Sequence, residues 1–173
     1  MSQQPEFRLL SKDFILLCLA NFCYFGSFYI LVPAMPQYVV SLGGTTSQVG
    51  LIMGFFTFSS VVVRPWFGNM SDIRGRKSLM LLGSGFFVLF PLAYMAVSTL
   101  VPLYLVRIAH GFAHAAYLVA AMAYIADMAP PHRRGEVMGI FGVANILGMA
   151  VFPAWGTYVL SGGGSFQYLF FLG

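Results

Sequence analysis

The chain consists of long apolar stretches separated by short polar segments. No Asp, Glu, Lys or Arg occurs between Phe14 and Arg64, and the polar segment at 41–48 divides that stretch in two. Because a helix crosses a bilayer core with about 20 apolar residues, the pattern predicts five transmembrane spans, near residues 14–38, 49–69, 78–97, 101–127 and 137–160. The sixth stretch, 166–173, is too short to cross, so we expect an incomplete sixth span in either a fragment or a naturally short protein.

Composition supports this prediction. Hydrophobic residues make up 59% of the chain and charged residues 8%, whereas about a quarter of the residues of a soluble domain are charged. A transmembrane β-barrel would show short segments that alternate polar and apolar residues, and the stretches here are continuous. We therefore predict an all-α, polytopic membrane protein, with a cytoplasmic N-terminal segment at 1–13 and a helical bundle at 14–173.

The distribution of charge predicts the orientation. Seven of the nine Lys and Arg residues lie in the N-terminal segment and in the loops after spans 2 and 4, and the loops after spans 1, 3 and 5 contain none. Basic residues favour the cytoplasmic side, so we expect a multi-pass protein of the cytoplasmic membrane with its N-terminus inside. The net charge of +4 is spread over separate loops, which argues against nucleic-acid binding. Cys18 and Cys23 lack metal-site spacing, and we expect no metal, cofactor or enzymatic activity.

The loop after span 2 reads GNMSDIRGRK. Gly68 permits close approach of a neighbouring helix, Gly75 permits a tight turn, and Asp72 can cap or pair at a helix end. The loop resembles the motif G-x-x-x-D-[RK]-x-G-R-[RK] of the Major Facilitator Superfamily, with matches at Gly68, Asp72, Gly75, Arg76 and Lys77, with Ile73 in place of a basic residue and with Arg74 displaced by one position.

This resemblance implies a gate at the cytoplasmic face. Asp72 and Arg76 are implied to hold the inner ends of the helices together. Asp127 closes span 4 on the same side of the membrane and is the expected partner of Arg76. Arg134, in the following loop, is a further candidate for the gate.

Span 4 carries Arg107 well inside an apolar segment. A charge there costs about 2.5–3.5 kcal/mol on insertion scales and usually faces a partner or a water-filled path. His110 and His114 lie within about 60° of Arg107 on a helical wheel, so we expect the three to line a cavity. The alternative is an arginine that reaches the outer interface. Each histidine either takes part in proton movement or is a core residue bonded to a backbone carbonyl.

Spans 4 and 5 carry two further resemblances to the family. The segment around Arg107 resembles its motif R-x-x-x-G, with His110 and His114 replacing a glutamine and a small residue. In span 5, GMAVFPAWG resembles the antiporter motif G-x-x-x-G-P-x-x-G through Gly148, Pro153 and Gly156. In the family this helix packs tightly at the cavity wall. Phe152 replaces the second glycine and is expected to widen that contact.

Two other groups of residues are candidates for the cavity. Arg64, which precedes Pro65, is expected to reach the interface or to lie at the edge of the cavity. Asn21, Tyr24 and Ser27 of span 1 either line the cavity or hold the helices together.

The resemblance covers nearly the whole chain and implies the N-terminal six-helix half of a transporter whose halves surround a site at the membrane midplane. It implies secondary active transport of a small solute, with proton-coupled efflux by antiport. The implied partners are the solute, protons, the lipid bilayer and a C-terminal half. A sugar or metabolite symporter or uniporter is one alternative, and a truncated membrane module without transport activity is the other.

Overall fold

The computed structural model describes residues 11–172, and these form helices joined by short turns, with no strand among them. The helices are α1 (Lys12–Leu31), α2 (Ala34–Ser41), α3 (Thr46–Val62), α4 (Arg64–Arg74), α5 (Arg76–Met95), α6 (Leu100–Met128), α7 (Arg134–Ser161) and α8 (Phe166–Leu172), with a 3-10 turn at Pro131–Arg133 before α7. Residues 1–10 of the predicted N-terminal segment lie outside the described residues. α1 begins immediately after Ser11, whose hydroxyl accepts a hydrogen bond from the Phe14 amide at 3.4 Å.

Four helical segments among the described residues are long and apolar enough to cross a membrane: Lys12–Ser41, Arg76–Met95, Leu100–Met128 and Pro131–Ser161. α3 and α4 together form a fifth candidate, bent by 44°. α8 has 7 residues and is too short to cross. The prediction of an all-α polytopic membrane fold is confirmed.

The bend between α3 and α4 differs from the continuous span predicted at 49–69. Val63 ends one helix and precedes the next, and Pro65 occupies the first turn of α4. Proline has no backbone N–H, so it cannot continue the hydrogen-bond ladder of α3. The first span also differs from the prediction, because it is interrupted near Pro33 and continues as α2 to Ser41.

α6 lies at the centre of the bundle and packs against α3, α4, α5 and α7, while α1 packs mainly against α7. Contact between α5 and α6 requires a glycine. A Cβ atom at Gly83 would lie 2.5 Å from the backbone nitrogen of Tyr117. In a membrane, helices associate through such close packing, since lipid tails are as apolar as the side chains.

We expect Gly83→Ala to destabilise the protein by roughly 1–3 kcal/mol, because the added methyl group forces α5 away from α6. Gly85→Ala is the matched control. It lies in the same helix, and no described atom lies within 4 Å of a Cβ placed there. Unfolding of the detergent-solubilised protein, followed by circular dichroism, measures the difference. Equal stability of the two variants would contradict the assigned contact.

Candidate functional site

Four polar or aromatic side chains form a column along one face of α6: Arg107, His110, His114 and Tyr117. Their spacing of three or four residues places them above one another on the helix. The column is buried, with Arg107 3% exposed and His110 fully inaccessible. The guanidinium therefore faces the protein interior, and the alternative of an arginine that reaches the interface is wrong.

The guanidinium of Arg107 is enclosed mainly by apolar groups. Its Cζ lies 5.4 Å from the ring centroids of both Phe56 and Tyr94, a distance at which cation–π attraction acts. Its Nη2 lies 3.4 Å from the Met53 sulfur, a weak acceptor. Its Nε finds no hydrogen-bond partner among residues 11–172.

Arg107 and His110 border a cavity of about 260 Å³ between α1, α3 and α6. Its walls are otherwise aromatic and aliphatic, apart from one threonine: Phe28, Tyr29, Leu31, Val32, Met53, Phe56 and Thr57. His114 lies one turn further along α6 and does not border this cavity. The cavity thus has the buried positive charge of Arg107 on one side and a largely apolar wall on the other.

Each histidine of the column is bonded to a tyrosine. Nδ1 of His110 lies 2.8 Å from the Tyr94 hydroxyl, and Nδ1 of His114 lies 3.2 Å from the Tyr24 hydroxyl. The hydrogen-bond partner of each histidine is therefore a tyrosine hydroxyl, and not the backbone carbonyl that the sequence had suggested as an alternative. The Nε2 atom of His110 is buried and has no hydrogen-bond partner within the described part of the chain.

Asn21 and Tyr24 hold helices together and do not border the cavity. The amide of Asn21 donates to the backbone oxygen of Phe141 at 3.1 Å and accepts from the Tyr117 hydroxyl at 3.2 Å. Tyr24 stacks on Tyr117, with ring centroids 3.6 Å apart. Tyr117 was not among the residues predicted from the sequence. Its helical spacing from His114 could have placed it on the same face of α6.

The antiporter-like segment of α7 packs closely on α1. A Cβ atom at Gly148 would lie 3.3 Å from the backbone nitrogen of Gly26, and one at Gly156 would lie 2.5 Å from the backbone oxygen of Ile30. The Phe152 ring lies against Gly26, where a Cβ atom would approach it to 2.5 Å. The expectation that Phe152 widens this contact is wrong, because Gly26 leaves space for the ring. Pro153 lies inside the uninterrupted α7.

The loop between α4 and α5 forms an ion-pair cluster with the end of α6. Nη1 of Arg76 lies 2.6 Å from Oδ2 of Asp127, and Nη2 lies 3.6 Å from Oδ1 of Asp72. Arg76 also donates to the backbone oxygen of Ala123. Gly75 has φ of +89°, a conformation that glycine adopts without strain and that allows the turn before Arg76. These residues border an open pocket of about 620 Å³, together with Lys77.

Other predicted residues of this region have different surroundings. Arg134 donates a hydrogen bond to the backbone oxygen of Ala126 at 3.0 Å. Its partner in this bond is the backbone near the end of α6, and not an acidic side chain. No described atom lies within 4 Å of a Cβ placed at Gly68, so the close helix approach expected there is not made within residues 11–172. Arg74 is exposed, and so is Arg64 in the first turn of α4.

Comparison with known proteins agrees with these features. The family model described as Major Facilitator Superfamily matches residues 17–173. An uncharacterized MFS-type transporter of Methanocaldococcus jannaschii is 35% identical over 83% of this chain and 37% of its own length. Multidrug resistance protein 2 of Bacillus subtilis is 27% identical over 86% of the chain and 37% of its own length. Quinolone resistance protein NorA of Staphylococcus aureus is 23% identical over 87% of the chain and 39% of its own length.

The chain therefore spans less than half the length of these relatives. The family match, by contrast, covers nearly all of the chain, from α1 to its last residue. The helical architecture, the loop motif before α5 and the buried arginine of α6 occur in the order expected from the resemblance. On these grounds the chain belongs to the Major Facilitator Superfamily.

Proposed function

We propose that this chain is one half of a secondary transporter that moves a small solute out of the cell in exchange for protons. The supporting observation is the cavity between α1, α3 and α6, where the buried charge of Arg107 meets an aromatic wall. A costly buried charge in a membrane protein usually marks a path for a solute or an ion. No covalent chemistry is needed for this activity.

The names of two relatives support the direction of transport. One is described as a multidrug resistance protein and the other as a quinolone resistance protein. Efflux of an amphiphilic solute is the activity that fits these names and the largely apolar cavity. Each relative is more than twice as long as the matched region, and we infer that a C-terminal half completes the site.

The cluster around Arg76 is proposed to be the cytoplasmic gate. It joins the turn between α4 and α5 to the end of α6, so it breaks if these ends separate. Its side chains are 28% exposed for Arg76 and 59% for Asp127, and ion pairs this accessible contribute about 0–1 kcal/mol. An ion pair of this strength stabilises the state that is closed toward the cytoplasm and still allows that state to open.

Proton exchange can be tested with inverted membrane vesicles whose lumen is acidified by respiration. In cells expressing the complete gene product, we expect a quinolone added outside such vesicles to raise the luminal pH, because the solute enters as protons leave. A fluorescent probe of luminal pH measures the change. A further acidification would indicate symport, no change would indicate uniport or no transport, and either result would refute the proposed antiport. Vesicles lacking the protein are the control.

The gate can be tested by labelling a cavity residue. We expect Arg76→Ala to increase the cytoplasmic accessibility of a cysteine at Thr57 by about two- to fivefold, because loss of an exposed ion pair shifts the two states by roughly 0.5–1 kcal/mol. The exchange of Arg76→Asp with Asp127→Arg should restore the wild-type rate. Labelling rates with an impermeant thiol reagent in inside-out vesicles measure this in a background lacking Cys18 and Cys23.

Arg133→Ala is the matched control for the gate. Its side chain also forms an exposed ion pair, with Glu136, but the two residues belong to the same helix start and join no separate elements. The gate proposal fails if Arg76→Ala and Arg133→Ala change the labelling rate equally.

The proposed orientation, with the N-terminus inside, can be tested with the same chemistry in sealed right-side-out cells. Cysteines at Ser47, in the first turn of α3, and at Ser98, in the loop after α5, should be labelled from outside, because both residues are exposed in segments without basic residues. A cysteine at Lys77, exposed at the start of α5, should be labelled only after permeabilisation. Direct labelling at Lys77 together with protection at Ser47 would reverse the orientation.

A further inference from the structure

An apolar groove lies between α4, α5 and α6, apart from the cavity of Arg107. Its volume is about 260 Å³, and no charged or polar side chain borders it. Its buried lining residues include three of the smallest, Gly83, Ala113 and Ala116, whereas larger side chains along it, Leu82, Phe86 and Phe112, are exposed. The apolar groove is therefore a slot with a floor of small residues and with aromatic and aliphatic rims.

The apolar groove opens on a different side of α6 from the cavity. Ala109, Ala113 and Ala116 of the groove are centred roughly 120° around the helix from Arg107 and His110 of the cavity, at about 100° per residue. The C-terminal half that we propose to complete the solute site would face the cavity. The groove, on the other side of α6, then faces the lipid.

The apolar groove has the length of one leaflet of a bilayer. Its residues on α5 run from Leu79 to Phe90, a distance of about 16 Å along the helix, and one leaflet supplies about half of a hydrocarbon core that is about 30 Å thick. The end at Leu79 adjoins the charged turn between α4 and α5. An acyl chain whose head group lies at this turn would therefore extend along the whole groove.

Two basic side chains are available at that end of the apolar groove. Arg74 lies on the same face of α4 as Phe67 and Met70, which border the groove, because the three are spaced three and four residues apart. Lys77 follows three residues later, beyond the turn at Gly75. Both basic residues are exposed, and neither belongs to an ion pair among residues 11–172. A negatively charged group at this end would meet two uncompensated positive charges.

We propose that the apolar groove binds an anionic phospholipid. One acyl chain lies over the small residues, between the rings of Phe67, Phe86 and Phe112. The phosphate accepts hydrogen bonds from Arg74, since the guanidinium fork matches two phosphate oxygens, and the ammonium group of Lys77 adds a second charge. A zwitterionic lipid carries a cationic group next to its phosphate, which offsets this attraction. The site does not depend on the direction or the coupling of solute transport.

The test measures the binding of single lipids to the delipidated complete gene product by native mass spectrometry. We expect palmitoyl-oleoyl phosphatidylglycerol to bind about 5- to 30-fold more tightly than phosphatidylcholine with the same chains, since each of the two basic residues contributes a factor of about five. Arg74→Gln combined with Lys77→Gln should remove this preference. Lys12→Gln is the control, because it removes an exposed basic residue at the start of α1, away from the groove.

A second pair of variants tests the position of the acyl chain. Ala109→Leu places a larger side chain in the apolar groove and should weaken binding of phosphatidylglycerol about two- to fivefold, because the acyl chain loses packing contacts. Ala150→Leu is the matched control, since Ala150 is exposed on α7, which does not border the groove. Glycerol phosphate, the head group without its chains, should not displace the lipid at equal concentration.

Four results would overturn the proposal. The first is equal binding of the two lipids, or no saturable binding of either, as expected if the C-terminal half covers the apolar groove. The second is a preference for phosphatidylglycerol that persists in the Arg74→Gln, Lys77→Gln variant. The third is equal binding to the Ala109→Leu and Ala150→Leu variants, or displacement by glycerol phosphate, since the acyl chain would then lie elsewhere. The fourth is displacement of the lipid by a quinolone, which would assign the groove to the solute. None of these results bears on the vesicle test of antiport.

Discussion

The enclosure of a permanent charge by apolar helices is the constraint around which this bundle is organised. Arg107 is 3% exposed, and its guanidinium is held by two aromatic faces and a sulfur atom from α3 and α5. These contacts leave the charge itself without compensation in the described residues. α6 lies in the middle of the bundle, where α3, α4, α5 and α7 pack against it and cover the arginine on several sides.

The polar column of α6 continues this arrangement toward the end of the helix that carries Asp127. Tyrosines of α1 and α5 reach the two histidines, and the last member, Tyr117, is linked through Asn21 to the backbone of α7. The column ends several turns before the ion pairs of Arg76. One helix therefore connects the cavity to the ion pairs of Arg76, and a tilt of α6 would act on both.

Part of this site was predictable from sequence because it depends on local spacing. The helical period places Arg107, His110 and His114 on one face. The loop motif identifies Arg76, and the position of Asp127 at the end of span 4 makes it the expected partner. The partners were not predictable, since Met53, Phe56 and Tyr94 come from other helices and nothing in their own neighbourhood distinguishes them. The break at Val63 had a signal in Pro65, although the span predicted at 49–69 continued across it. The packing of Phe152 was misjudged because its recess, Gly26, lies 126 positions earlier in the chain.

The fit of Phe152 against Gly26 also restricts how this chain can vary over evolutionary time. Any side chain larger than hydrogen at position 26 meets the aromatic ring, and removal of this partly buried ring leaves a void beside a bare stretch of backbone. A change at either position alone disturbs this contact. The two are therefore expected to be inherited as a pair, with homologues that carry glycine at the position of Phe152 free to carry a larger residue at the position of Gly26.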